Sequence, residues 1–405
     1  MNFRRTFLTV IKYRNYRLWF FGQLVSLFGS WMQMTAQGFL IFELTRSPAY
    51  LGYVSFASGL PAWIFVLYGG VIADRMARRS LLLITQTCMM FLGAALAGVT
   101  FSGHVQPWQI IVLAFCLGIA NAFDAPARQA FVLELVERED LTNAIALNST
   151  LFNCAAMVGP AAAGLVYAWI GPAWCFVFNS VSFAGIIVAL LLIRVKAKPA
   201  PSPGPSALAA LVEGLRYTAS DGIIRSMIGI VAATCLFGFS FTTLLPAWAV
   251  HVLDGDAATN GLLHSARGCG ALISALLIAS LGRFPLKGRL LMAGMFLFPV
   301  VLLLFALERE TWLALVFMAG VGITLLLTLN LANVLLQTHV EDHVRGRVMS
   351  IVSLTHFGLM PIGGLLAGLA ASAIGEPATV MASSVIASAC ALAIWIYAPQ
   401  VRKLA

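Results

Sequence analysis

Gly70-Val71-Ile72-Ala73-Asp74-Arg75-Met76-Ala77-Arg78-Arg79 sets one carboxylate and three guanidiniums between two long apolar segments. Charges so placed persist only at the water boundary of a membrane, where they are solvated or paired. The stretch therefore marks a short loop between two membrane-crossing helices. Because positive loops face the cytoplasm, it also sets which side is inside.

The composition on either side agrees. The 405 residues are 60% hydrophobic and 10% charged, with a mean hydropathy of +0.91, whereas soluble domains carry roughly 25% charged residues. A water-soluble fold is excluded. About 20 apolar residues cross the hydrocarbon as a helix, whereas a transmembrane barrel shows alternating segments of about ten. The apolar runs here are long and continuous, which predicts an all-α membrane protein. The expected spans are 17–42, 49–73, 80–101, 107–127, 143–168 and 173–194, then 225–249, 258–281, 289–307, 311–336, 348–373 and 377–398. These make twelve transmembrane helices in two six-helix bundles.

A net charge of +9 invites thoughts of nucleic acid, but the placement of the basic residues answers otherwise. Alternate loops put 22 of the 25 Lys and Arg on one side, leaving Arg46 and Arg309 opposite and Arg267 inside a span. That bias makes both termini cytoplasmic in a bacterial inner membrane and removes the need for a nucleic-acid partner. The first apolar run is long enough to span and lacks a small-residue cleavage site, so it is expected to be an uncleaved anchor. The seven cysteines lie in or beside spans without C-x-x-C spacing, and neither metal nor disulfide is implied.

Lys196-Ala197-Lys198-Pro199-Ala200-Pro201-Ser202-Pro203-Gly204-Pro205 has the composition of an extended, solvated linker. The expected organisation is a first bundle over 1–195, a linker with an interfacial amphipathic helix over 196–224, and a second bundle over 225–405. A shift of about 204 residues aligns Val136-Glu137 with Val340-Glu341, Ser149 with Ser353, Gly159 with Gly363 and Gly164 with Gly368. Such an internal repeat is the mark of two related halves.

The Gly70–Arg79 stretch resembles the loop 2–3 signature of the major facilitator superfamily, G-x-x-x-D-R-x-x-R-R, with Ala77 where the family often has glycine. Gly22-Gln23-Leu24-Val25-Ser26-Leu27-Phe28-Gly29, Glu43-Leu44-Thr45-Arg46-Ser47-Pro48 and Asp124-Ala125-Pro126-Ala127-Arg128-Gln129-Ala130-Phe131 are similar to a bacterial exporter branch. That branch contains the enterobactin exporter and macrolide efflux pumps. The resemblance covers nearly the whole chain and implies the major facilitator fold and alternating access between its halves.

Four groups of residues are candidates for the chemistry. The first is a cytoplasmic gate of Gly70, Asp74, Arg75, Arg78, Arg79, Asp124 and Arg128. Asp74 is expected near the start of span eleven, around Arg347 to Ser350, with Arg78 pairing Asp124 and Arg128 one turn from it. In the family such a cluster is implied to hold the halves together when the protein opens outward; otherwise the arginines serve topology alone.

The second group is a central cavity. Gln23, Ser26, Ser30, Gln33 and Gln37 recur at steps of three and four on one face of span one. That face should line water or another helix. Asn330 and Asn333 form a similar face on span ten. Arg267, with His264 and Ser274 on its face, costs at least about 2.5 kcal/mol near the bilayer centre unless solvated or paired. It is either a cavity cation for an anionic substrate group or an arginine satisfied by carbonyls. His356 is a further cavity residue.

Gly159, Pro160 and Gly164 form the third group, where span five can bend and approach a neighbour. They resemble a relaxed antiporter signature in which Ala155 and Ala163 replace two glycines. Proton coupling is the fourth, with Glu43 and Asp124 as candidates and no acid convincingly at mid-membrane; Ser30 stands where some efflux relatives carry an acid.

No G-x-x-x-x-G-K-[ST] loop occurs and the soluble segments are short, which excludes an ATP-driven pump in this chain. No nucleophile, base and orienting partner form an enzyme site. The expectation is a proton-coupled exporter of an amphipathic or anionic small molecule, a siderophore-like metabolite or a drug. It needs no cofactor and works as a monomer in the lipid bilayer. A facilitator or importer of a small organic solute with the same fold is the alternative.

Overall fold

The computed structural model describes residues 9–195, 207–281 and 286–404; the side chains of 66–75, 207–211 and 281 are outside the description. Every long element is a helix, as lipid requires, because only a helix satisfies its own backbone donors and acceptors without water. In chain order they are α1 (Arg14–Thr45), α2 (Pro48–Arg75), α3 (Arg78–Phe101), α4 (Pro107–Leu135), α5 (Leu141–Ile170) and α6 (Pro172–Leu192). A shorter α7 (Ala207–Ser220) coincides with the expected interfacial helix. Then follow α8 (Gly222–His251), α9 (Ala257–Leu281), α10 (Lys287–Leu307), α11 (Thr311–His339), α12 (Asp342–Ile374) and α13 (Glu376–Tyr397). The segment 196–206 lies outside the described residues.

Ten of these helices are long and apolar enough to cross a membrane. α1 and α2, of 32 and 28 residues, are packed among the ten. Several helices outrun the expected spans: α4 continues to Leu135 rather than ending at 127, and α12 begins at Asp342 rather than 348. Hydropathy marks where lipid ends, whereas a helix continues into water while its polar residues are paired.

α8 departs most from expectation. An unbroken span over 225–249 was predicted, but the α-helix stops at Ala233. It passes through a π-turn at Thr234–Gly238 and a 3-10 turn at Ser240–Leu244, and resumes from Leu245 to His251. Irregular backbone at this depth is tolerated only when buried in protein or facing an aqueous cavity.

The packing repeats across the chain. α1 lies on α5 and α6, α2 on α4, and α3 on α4 and α6; α8 lies on α12, α9 on α11, and α10 on α11 and α13. Two pairs dominate the join between the groups, α5 with α9 and α2 with α12, and α1 also touches α8 and α9. The turns repeat as well: Gly171 (φ 97°) and Gly375 (φ 83°), 204 residues apart, end α5 and α12 in backbone that side chains rarely adopt.

Several contacts joining the groups lie toward the end of the molecule that carries the α1–α2 loop. A Cβ on Gly164 would come within 2.8 Å of Ala258 Cα, and one on Gly368 within 2.9 Å of Gly52 Cα. Ser372 Oγ accepts from the amide of Ala49 at 2.9 Å, and Phe42 meets His251 edge to face with centroids 5.0 Å apart. A buried cluster including Met32, Phe42 and Phe176 also takes in Ala247 and Ala257. Toward the opposite end, where the described chain begins and ends, Ile145 and Phe152 of α5 and Phe357 of α12 are exposed. The two groups thus meet closely at the loop end, and contact continues along α2 and α12 as far as Trp63 and Gly358.

Candidate functional site

Of the expected gate, Gly70, Asp74 and Arg75 belong to the stretch of α2 whose side chains are outside the description, so their contacts lie outside the described residues. The remaining members separate into two arrangements. Arg78 does not reach Asp124; its Nη1 donates to Glu134 Oε1 at 2.7 Å, both side chains being largely buried. Glu134 escaped the sequence reading because span four was ended at 127, short of the last two turns of α4. Arg79 donates to the carbonyls of Leu190 (2.6 Å) and Leu191 (3.0 Å), using the acceptors freed at the end of α6.

Asp124 is fully buried. Its Oδ1 accepts from Thr85 Oγ1 and Gln86 Nε2 of α3, both at 2.8 Å. Arg128, one turn on, holds Oδ2 at 3.1 Å as an ion pair without hydrogen-bond alignment. The two donors from α3 on this carboxyl tie α3 to α4.

On α1, Gln23, Ser26, Gln33 and Gln37 are buried. Gln33 Oε1 accepts from Asn179 Nδ2 of α6 at 2.6 Å, and Ser30 donates to the Ser26 carbonyl at 2.8 Å. Gly22 and Gly29 bring the same helix against Ile186 and Asn179. Gln33 of this polar face is therefore turned to α6, as helix packing would require. Gln23 Nε2 has no hydrogen-bond partner among the described residues. On α11, Asn333 Oδ1 accepts from Gln337 Nε2 at 2.9 Å, and Asn330 is partly exposed.

The expected bend residues sit where helices come closest. Gly159 faces Trp31 of α1, and Gly164 faces Ala257 and Ala258 of α9. Pro160 lies inside an uninterrupted α5; lacking an N–H, it leaves the Ala156 carbonyl without its usual intrahelical donor. That oxygen faces Gly268 of α9. The Pro160 carbonyl in turn faces Gly261.

α9 carries the most unusual surface. Arg267 and His264 are each 7% exposed, and Asn260 and Ser274 are fully buried. Arg267 Nε, His264 Nδ1, both amide atoms of Asn260 and Ser274 Oγ have no hydrogen-bond partner among the described residues. At 3.6 residues per turn the four lie within about 80° of one another. Gly261 and Gly268 flank them toward α5, while Gly270 and the close approach of Gly322 to the Arg267 backbone mark the side toward α11. The stripe therefore lies on the buried side of α9, between its seams with α5 and α11.

Asn260 was missed by the sequence reading. The step of four to His264 was the available signal.

Opposite the stripe is the irregular part of α8. Arg267 stands over the Phe239 ring at 5.9 Å. His356 of α12 lies edge to face with Phe239 at 6.1 Å, and its Nδ1 is 3.4 Å from Cys235 Sγ. The interrupted helix thus presents one aromatic ring to both basic side chains.

Of the coupling candidates, Glu43 is exposed at the end of α1 and accepts a short hydrogen bond from the hydroxyl of Tyr167. A second acid–base pair was not foreseen: Glu376, buried in the first turn of α13, is 2.8 Å from His251.

The family model described as transmembrane secretion effector matches residues 7–404. The staphyloferrin A transporter of Staphylococcus aureus is 25% identical over 88% of this chain and 90% of that protein. Macrolide efflux protein A of Streptococcus pyogenes is 24% identical over 90% of this chain and 92% of that protein. Among solved structures, a bacterial homologue of the human lysosomal transporter Spinster, inward-facing and unoccupied, superimposes with a TM-score of 0.73. It is 14% identical and covers 96% of this chain and 98% of that one.

Proposed function

The chain belongs to the transmembrane secretion effector family of the major facilitator superfamily, and from that premise we propose that it exports an amphipathic or anionic small molecule in exchange for protons. The observation that carries the substrate side is Arg267, a buried guanidinium between the α5 and α11 seams with no carboxylate in ion-pair distance among the described residues. A charge so placed is stabilised by an opposite charge that arrives with the substrate. The name of one relative, macrolide efflux protein A, favours outward movement, and that of the other, the staphyloferrin A transporter, a small-molecule cargo.

In this reading the protein is a monomer of the bacterial inner membrane with both termini in the cytoplasm. The terminal end then faces the cytoplasm, where the molecule is loaded. Opening the loop end and closing the terminal end carries the molecule across. Protons entering through Glu43 or Asp124 drive the cycle. Everted vesicles with a labelled anionic amphiphile test it: uptake against a gradient is expected to stop when the pH gradient is collapsed, and continued uphill uptake rejects proton coupling.

A facilitator or importer is the second reading, favoured by the state of the two acids. Glu43 lies at a helix end and Asp124 is tied by three partners. Net outward movement against a substrate gradient eliminates it.

A further inference from the structure

The polar face of α9 is more extensive than a single cation needs. Asn260, His264, Arg267 and Ser274 span fifteen residues of sequence, a rise of about 21 Å along the helix. Each buried polar group without a partner costs about 1–3 kcal/mol. Helix packing alone does not call for the stripe. The flanking glycines and Gly322 already make the seams with α5 and α11 by backbone approach, and the stripe lies between those seams.

We propose that this face is a linear recognition surface for an elongated organic anion. Arg267 holds the anionic group, and Asn260, His264 and Ser274 bond hydroxyl or carbonyl groups along the rest of the molecule. The chemistry of the set selects the class. Asn260 and Ser274 both donate and accept, so they suit neutral polar groups. Arg267 supplies a planar fork for an oxyanion and repels an organic cation. The ring of Phe239, beneath the guanidinium, gives the ligand an apolar wall. The proposal rests on the export reading for its purpose, but binding at α9 needs neither a gradient nor a direction of transport.

Ala271 lies on the same face between Arg267 and Ser274, and is buried. Purified Ala271→Cys protein in detergent is treated with a sulfonate or a trimethylammonium methanethiosulfonate. Modification at residue 271 is read by peptide mass spectrometry, and each rate is divided by that of the same reagent with free cysteine. The sulfonate is expected to be favoured by at least about tenfold, as a focused positive field does for an anion. The preference should vanish with Arg267→Gln and survive with Arg267→Lys, which also serves where the glutamine variant fails to fold.

No reaction with either reagent at residues 271 and 274, the latter tested as Ser274→Cys, means a dry helix seam and overturns the proposal. Equal normalised rates, or a preference that persists in Arg267→Gln, overturn it too. Selective labelling by a protein that moves nothing outward in vesicles removes export and leaves the surface standing. The converse result removes the surface alone.

Discussion

The Arg78–Glu134 pair shows how a single side chain can be misassigned from sequence. Charge and proximity suggested Asp124, but Asp124 is occupied by Thr85, Gln86 and Arg128, while two further turns of α4 bring Glu134 to Arg78. A double-mutant cycle on thermal unfolding should give Arg78 and Glu134 a coupling of about 1 kcal/mol. Arg78 and Asp124 should show no coupling beyond error; the reverse order would contradict the assignment.

Gly268 makes a second residue-scale prediction. A Cβ there would lie 2.6 Å from the Ala156 carbonyl oxygen and 2.8 Å from Met157 Cα, backbone atoms that cannot turn aside. Gly268→Ala should lower stability by about 1–3 kcal/mol, as overpacking does, read as a fall in Tm in detergent.

Outside the membrane, Asp140 is held below the usual carboxylate range by hydrogen bonds from Lys12 and then Tyr13. A depressed value means that the stabilisation is present above the ordinary carboxylate range and is lost as pH falls through the folded value. Lys12→Met should therefore flatten the acid-side decline of Tm, and an unchanged slope would remove this contact from the account.

At the scale of the element, the helices themselves were legible because twenty apolar residues leave the chain few alternatives in lipid. Their ends were less so. α7 was placed correctly by its amphipathic pattern, and α9 and α11 began within a residue of expectation. α4 and α12 overran because pairing and capping, rather than hydropathy, decide where a helix stops.

α8 shows both limits. Its start is fixed by Asp221, whose Oδ1 accepts from the amides of Ile223 (2.7 Å) and Ile224 (3.0 Å). Burial works against ionisation of this carboxyl, yet those amides and His339 hold it below its ordinary value. Asp221→Ala should cost about 1 kcal/mol, the usual worth of such a cap, and Asp221→Asn should cost less. Equal losses would show that charge rather than capping matters. The interruption at Thr234–Gly238 had no such local sign, since Cys235, Leu236 and Phe237 read as ordinary apolar helix. It is a tertiary feature, made where Gly363 of α12 packs against the Leu236 backbone.

At the scale of the whole molecule, the 204-residue repeat turns out to encode packing. Gly159 sits on α1 and its counterpart Gly363 on α8; Gly164 sits on α9 and its counterpart Gly368 on α2. Equivalent glycines thus make equivalent contacts, one set within each group of helices and one between the groups. The candidate site was legible only in part. Arg267 and His264 stood out because charge and imidazole are rare in lipid, whereas Asn260 passed as one polar residue near a helix end. The polar face of α1 was visible, but the choice of α6 as the partner of Gln33 depends on tertiary structure.

The account as a whole requires that separating one end of the molecule closes the other. Spin labels at Ile145 and Ser350, exposed on α5 and α12 toward the terminal end, report that distance by electron–electron resonance. A second pair at Leu44 and Ile374, both exposed at the loop end, reports the opposite opening. Gly164→Leu, which drives a side chain into the α9 backbone, is predicted to lengthen the Leu44–Ile374 distance and shorten the Ile145–Ser350 distance in the same sample. A loop-end separation that leaves the terminal-end distance unchanged would contradict alternating access.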